Sequence, residues 1–372
     1  MRQQVDTIKT SSDNYLMDGH KLFWHLDRVN DWLNGNKIPP IHIDVGLSKG
    51  CNIRCHYCYG ATQGNLFKKG TATYFPKEPL LRYMRDAGEV GVRSMAIIGE
   101  AEPLLNPHVY DAIVEGKRSG VDMSMGTNGI LFDKGPKGEE ALEHLTWLRF
   151  NISAASEASY KRLHGSNDFN VLIDKIKFCV NVKKKKNLPI TIGFQMVLTP
   201  QDVDEVVPLA RLGKELGIDY LEVKHCGDTV DNALGIYKLL DDYDKFQGTL
   251  EQAEAESSSD YRVIIKWRAI LSKGRRDYDR CYGPPFLIYS SGDGKLYPCG
   301  MFFSYREEEF CFGDLKKNSF KDIINSQRYW DVIEKVKTTI DVHNECYANC
   351  RTNAINSFLW KLKNPPSHVN FI

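Results

Sequence analysis

Short apolar runs alternate with amphipathic stretches along much of this chain, and that alternation predicts its elements. Six runs have the length and content of strands: 41–47 (IHIDVGL), 93–99 (RSMAIIG), 121–127 (VDMSMGT), 148–154 (LRFNISA), 191–198 (TIGFQMVL) and 219–225 (DYLEVKH). Helical spacings lie between them, as in Leu80, Met84 and Ala87, or Val203, Val206, Val207 and Ala210. Strands separated by helices return by crossovers, so an α/β fold with a parallel sheet is predicted. A partial (β/α)6 TIM-like barrel and an open doubly wound sheet both satisfy the spacing.

The alternation is predicted to stop near residue 228. An amphipathic stretch follows at 234–250, then the acidic, serine-bearing 251–260, read as an exposed connection. Beyond Cys281 the texture changes. SSGDGKLYPCG (290–300) reads as a hairpin turning at Asp293-Gly294. Helices are predicted around 329–336 and 355–362, the second with Ile355, Phe358, Leu359 and Leu362 on one face. These shifts divide the chain into an N-terminal extension (1–40), a barrel (41–228), a connecting region (229–280) and a small C-terminal α+β domain (281–372).

Composition narrows the function classes. The hydrophobic fraction of 42% in 372 residues supplies a core for two domains. Lys plus Arg, 49, balance 48 acidic residues, so no overall footprint for nucleic acid or membrane exists. Lys183 to Lys186 form one basic run, read as a solvated helix end. The first residues lack the apolar segment of a secretory signal, and no run reaches the roughly 18–20 apolar residues that span a bilayer. A cytoplasmic protein is expected, where clustered cysteines bind metal or do chemistry.

Three of the ten cysteines fall within eight positions, Cys51, Cys55 and Cys58 of KGCNIRCHYCYG. A structural zinc site draws four ligands, commonly from paired C-x2-C units; His56, between two close cysteines, is an awkward fourth. Soft thiolates in one tight loop suit an iron–sulfur cluster. Three thiolates on four irons leave one iron open to a small molecule. Farther on, Cys281 and Cys299 enclose Gly294 as C-x12-G-x4-C, and Cys346 and Cys350 add a C-x3-C pair. Those four suffice for a closed four-iron cluster or a zinc site. Cys179 reads as core, and Cys311 as a packed strand residue or a substitute for Cys281. Cys226 follows the sixth strand, at the barrel face where catalytic groups collect.

The pattern C-x3-C-x-aromatic-C (Cys51, Cys55, Tyr57, Cys58) resembles the signature of radical S-adenosylmethionine (radical SAM) enzymes. The resemblance implies the partial barrel rather than the open sheet. It also implies a three-cysteine [4Fe–4S] cluster whose open iron binds the amino and carboxylate groups of S-adenosylmethionine (SAM). One electron then cleaves the sulfonium, and the resulting 5′-deoxyadenosyl radical abstracts hydrogen from substrate. IIGEAEPLLNP (97–107) resembles the family's Gly-Gly-Glu-Pro segment, which gives Gly99 and Glu102 cofactor roles, Glu102 accepting from the methionine ammonium. Ala101 departs from it, standing where glycine is usual. Thr127 and Asn128 match the family's Thr-Asn-Gly. Ser153 matches a position contacting ribose or carboxylate, and Tyr57 is expected against the adenine. Gln195 and Lys224 are expected at the mouth, as cofactor contacts or as barrel filling. The C-x12-G-x4-C element resembles the opening of the SPASM domain. With four cysteines instead of seven, it implies the shortened twitch form with one auxiliary [4Fe–4S] cluster.

Within that family, three functions are expected candidates. The first is an oxidoreductase or epimerase acting on a small polar substrate, sugar-like or aminocyclitol-like, with Cys226 as hydrogen donor or as a plain loop cysteine. Forty residues before the first strand are too few for a leader-binding winged helix, which favours this reading. The second is a maturase of a ribosomally made short peptide. The third, a non-catalytic iron–sulfur redox protein, has no use for the cofactor-binding edge at Glu102, Thr127, Asn128 and Ser153. A reducing partner such as flavodoxin or ferredoxin is expected for the two enzymes.

Overall fold

The computed structural model describes residues 13–58, 73–228, 232 and 234–371. Residues 1–12 of the predicted extension, Tyr59 and Gly60 of the cysteine stretch, 229–231 and 233 of the connecting region, and residue 372 lie outside the described residues.

One ten-stranded sheet organises the chain, in the order β12-β11-β10-β1-β4-β5-β6-β7-β8-β9. Its members are β1 (His42–Val45), β4 (Ser94–Ile97), β5 (Asp122–Thr127), β6 (Leu145–Asn151), β7 (Thr191–Leu198), β8 (Tyr220–His225), β9 (Arg262–Ile265), β10 (Leu287–Ser290), β11 (Lys295–Tyr297) and β12 (Gly313–Asp314). A separate pair, β2 (Ser48–Lys49) and β3 (Thr73–Tyr74), flanks the loop after β1. Every pairing from β10 through β1 to β9 is parallel. Among the described residues β9 and β12 remain unpaired edges, so the barrel is partial, in agreement with the α/β expectation.

Alternation along the strands builds the barrel wall. In β8, Leu221 and Val223 are fully buried against the helical layer, while Tyr220, Glu222 and Lys224 alternate with them toward the lumen. Outside, helix Lys77–Glu89 buries Leu80, Tyr83, Met84 and Ala87, and helix Val206–Leu216 buries Leu209 and Ala210. Tyr15 packs edge-on against Trp147, with ring centroids 5.0 Å apart, and against Tyr220 at 5.7 Å. These rings close the end of the lumen opposite the cysteine loop.

The structure corrects three sequence expectations. Alternation does not stop at 228, because the four-residue RVII run forms β9 beside β8. Residues 251–254 belong to helix Gln247–Glu254, whose Leu250 and Ala253 are buried, so the exposed connection shrinks to 255–260. Leu362 is 39% exposed and does not share the buried face that Leu359 presents. The 290–300 hairpin forms as expected, with Gly294 at φ +87° in its turn. Its first strand additionally pairs with β1. The lysine run ends helix Phe169–Lys186, where Lys183 pairs with Asp219 and Lys186 with Glu139 and Glu143.

Candidate active site

Cys51, Cys55 and Cys58 lie on one loop after β1 and β2, all three partly exposed. Backbone bonds fasten this loop to the end of helix Glu157–His164. Arg54 N–H donates to the His164 carbonyl and His56 N–H to that of Leu163, each at 3.0 Å. Gly165 makes this contact possible: its φ is +60°, and a Cβ there would sit 2.9 Å from the Arg54 carbonyl oxygen. Burial first, then repulsion from its neighbours, pushes the Cys51 thiol up to about 12 and raises Cys55 as well. Converging thiols of this kind ionise only when a cation gathers them, which fits a metal-centred cluster. Two N–H donors are aimed at these sulfurs: Asn128 Nδ2 reaches Cys51 Sγ at 3.8 Å, and His164 Nδ1 lies 3.1 Å from Cys55 Sγ.

The edge beside the loop comes from the ends of β4 and β5. Glu102 is buried, and its carboxylate accepts from Thr127 Oγ1 at 2.5 Å, Asn128 N–H at 2.8 Å and Leu104 N–H at 3.0 Å. Burial raises its pKa, and those three hydrogen bonds oppose the rise. Gly99 lies where a Cβ would meet Gly46 Cα at 2.8 Å, so the turns after β1 and β4 touch there. Next to it, Glu100 accepts from Ser291 Oγ at 2.6 Å and Gly292 N–H at 3.1 Å, while its buried Oε2 has no hydrogen-bond partner among the described residues. Glu100 was not among the sequence candidates, since the glycine-rich segment drew attention to its neighbours.

Tyr57 and Ser153 come together beneath the loop. Ser153 Oγ donates to the Tyr57 hydroxyl at 2.9 Å, and both residues are buried. Cys226 directly follows β8, 1% exposed, with Sγ 3.6 Å from the Tyr57 carbonyl oxygen. Cys179 is core, as expected.

The lumen holds a charged network that the sequence candidates only partly covered. Arg149 Nη1 lies 2.8 Å from Glu222 Oε2 and donates to Gln195 Oε1 at 2.7 Å; Gln195 Nε2 donates to Asn151 Oδ1 at 3.1 Å. Lys266 pairs with Glu222 at 3.2 Å, and Arg351 Nε with Asp44 at 2.6 Å. Burial would raise Glu222, but Arg149 and Lys266 outweigh it and hold the carboxyl down at about 2. Asp44 and Glu222 are buried while their cations are partly exposed, so each pair keeps a buried carboxylate in the wall from being left uncompensated. Among the described residues Lys224 alone of these four cations has no hydrogen bond or ion-pair partner, and burial pushes its amine down to about 8 against the pull of Glu222. Arg149 and Glu222 were not among the sequence candidates, although each is a charge inside an apolar strand; Arg351, from beyond the barrel, carried no such signal.

Cys281, Cys299, Cys346 and Cys350 line one cavity whose remaining wall includes Tyr278, Met301, Phe302 and Val336. Cys311 lies outside it, with Sγ against the Gly313 carbonyl at 3.5 Å. Asn356 Nδ2 donates to Cys281 Sγ at 3.5 Å. Burial, then the charge of Cys350, pushes Cys281 up to about 11. Four thiols lining one cavity fit a cluster held by four cysteines.

A three-thiol loop at the mouth of an open parallel barrel, with a separate four-thiol cavity, defines an iron–sulfur protein of the SAM-binding class. Residues 45–213 match the Radical SAM superfamily, and residues 281–352 match the SPASM iron–sulfur cluster-binding domain. The chain carries a radical SAM domain followed by a C-terminal SPASM domain. Its cofactors are SAM, the SAM-binding [4Fe–4S] cluster and an auxiliary cluster. The AdoMet-dependent heme synthase of Methanosarcina barkeri is 21% identical, over 83% of this chain and 90% of that protein. The tungsten-containing aldehyde ferredoxin oxidoreductase cofactor-modifying protein of Pyrococcus furiosus is 23% identical, over 77% and 82%. The solved structure of Streptococcus suis SuiB bound to its precursor peptide SuiA shares the fold, with TM-score 0.63, 16% identity, and coverage of 94% of this chain and 82% of that one. Among the described residues no helix is long and apolar enough to cross a membrane.

Proposed function

We propose that this protein abstracts a carbon-bound hydrogen from a small, sugar-like polar substrate, with net oxidation or epimerisation. SAM and its cluster, when bound, supply the 5′-deoxyadenosyl radical, the electron coming from a flavodoxin- or ferredoxin-type partner. Cys51, Cys55 and Cys58 hold that cluster; Gly99, Glu102, Thr127, Asn128, Ser153 and Tyr57 form the SAM edge, Glu102 taking the methionine ammonium. Cys281, Cys299, Cys346 and Cys350 hold the auxiliary cluster.

The observation that carries the substrate reading is the lumen. Among the described residues Arg149 and Lys266 form ion pairs with Glu222 and Arg351 with Asp44, four cations to two carboxylates, and Lys224 has no ion pair. A polar molecule bearing an acidic group satisfies that surplus; an amino-bearing cyclitol adds to it. Sugar acids and sugar phosphates should therefore stimulate 5′-deoxyadenosine release. In Lys224→Met that stimulation should fall about tenfold or more, as for loss of a hydrogen bond to charge worth about 1.5–3 kcal/mol. In the unmodified protein it should weaken as pH rises through about 8, where the Lys224 amine loses its proton. Stimulation by aminocyclitols alone, unchanged in Lys224→Met, contradicts this reading.

Cys226 is proposed as the hydrogen donor. Burial, then the charge of Asp228, pushes its thiol up to about 12, so the S–H that a donor needs is retained. In deuterated water, solvent deuterium should enter the product only while Cys226 is present; undiminished incorporation in Cys226→Ala removes the donor role. A second reading, modification of a peptide residue, is supported by the likeness to peptide-bound SuiB over 94% of this chain. The same release assay with candidate precursor peptides separates the two.

A further inference from the structure

His164 has no part in the reading above, yet its ring is the most constrained group near the cysteine loop. It is fully buried at the end of helix Glu157–His164, stacked on Tyr160 with centroids 4.5 Å apart and set edge-on to Tyr57 at 5.9 Å. Ser153 N–H points at Nε2 from 3.0 Å. A backbone N–H can only donate, so Nε2 must carry a lone pair. With a lone pair on Nε2 the ring is neutral, and its single proton sits on Nδ1. That nitrogen lies 3.1 Å from Cys55 Sγ. The tautomer is thus set by the backbone of the fourth barrel strand's end, and the remaining N–H is aimed at a cluster ligand.

We propose that His164 tunes the reduction potential of the cluster held by Cys51, Cys55 and Cys58, by donating an Nδ1–H hydrogen bond to the Cys55 sulfur. Adding an electron to a cluster raises negative charge on its sulfurs, and an N–H donor stabilises the reduced form more than the oxidised one. The donor therefore shifts the potential upward and makes the one-electron reduction easier. The Tyr57 hydroxyl also engages Cys55 and Asn128 reaches Cys51, so His164 is one donor among three. It differs in being locked: Gly165 ends the helix behind it, and the His164 carbonyl accepts from Arg54 in the loop itself.

The test is an EPR-monitored redox titration of the reconstituted protein with both clusters, without SAM, reading the cluster whose signal changes when SAM is added. His164→Phe keeps the ring and removes the donor. Its ratio of reduced to oxidised cluster at fixed potential should fall about tenfold, equal to about 59 mV for a one-electron couple. His164→Gln, which retains a side-chain N–H, should recover part of that shift at equal iron content. An unchanged midpoint in His164→Phe at full iron content overturns the proposal. Should the variant fail to hold iron, the unmodified chain labelled with ¹⁵N-histidine decides. A histidine nitrogen coupled to the reduced cluster's electron spin is expected, and no such coupling overturns the assignment equally.

Discussion

Replacing Cys51, Cys55 and Cys58 together with alanine should abolish 5′-deoxyadenosine formation and remove one four-iron cluster, leaving about four irons of about eight. The expectation follows from the loop's construction. Its three thiols come from one segment, and the described side chains within hydrogen-bonding reach of the sulfurs include the N–H donors of Asn128 and His164. One imidazole and one amide do not make up for three lost thiolates, and His164 Nε2 is already engaged by Ser153 N–H. The change leaves the wall intact, because Arg54 and His56 fasten the loop through backbone groups that alanine preserves. Near-UV and far-UV spectra should thus stay close to those of the unmodified protein while the activity vanishes. Zinc instead of iron in the remaining site contradicts the account of the C-terminal cavity.

Cys346→Ala should have the second-largest effect, on both stability and turnover. Cys346 and Cys350 lie just before helix Asn353–Lys363, whereas Cys281 and Cys299 flank the β10–β11 hairpin. A cluster shared by these four ties the end of the chain to the edge of the barrel sheet, and its binding free energy becomes folding free energy. Losing one thiol should therefore release the auxiliary irons and lower Tm by several degrees. Arg351 follows Cys350 directly and pairs with Asp44 in the lumen, so the loss should also disturb the charged wall. Iron analysis, calorimetry and substrate-dependent turnover check the three consequences. Retention of all iron with an unchanged Tm would show that the cavity is not a cluster site.

Much of the barrel was legible because its signal is local. The six apolar runs correspond to β1 and β4–β8, and the C-x12-G-x4-C spacing encodes a turn that Gly294 adopts at positive φ. The β6 run was displaced by three residues, since Ile152, Ser153 and Ala154 continue the buried texture past the last ladder pair at Asn151. What was not legible depends on distant partners. The apolar run of β9 is only Val263 to Ile265, flanked by Arg262 and Lys266, and does not stand out from the connecting region; the parallel pairing of β10 with β1 is set by tertiary packing. The seven cysteines proposed as ligands stand out by their spacing, C-x3-C-x2-C, C-x12-G-x4-C and C-x3-C. His164, Glu100 and Arg351 became site residues only when helix Glu157–His164, the turn after β4 and the last cysteine pair converged on the loop and lumen.

The central claim is that the three-thiol loop binds and cleaves SAM, and release of 5′-deoxyadenosine tests it most directly. Anaerobically reconstituted protein given SAM and dithionite, or a reduced flavodoxin, should release 5′-deoxyadenosine and methionine in equal amounts. No release under either reductant, from protein shown to carry about eight irons, would contradict the account.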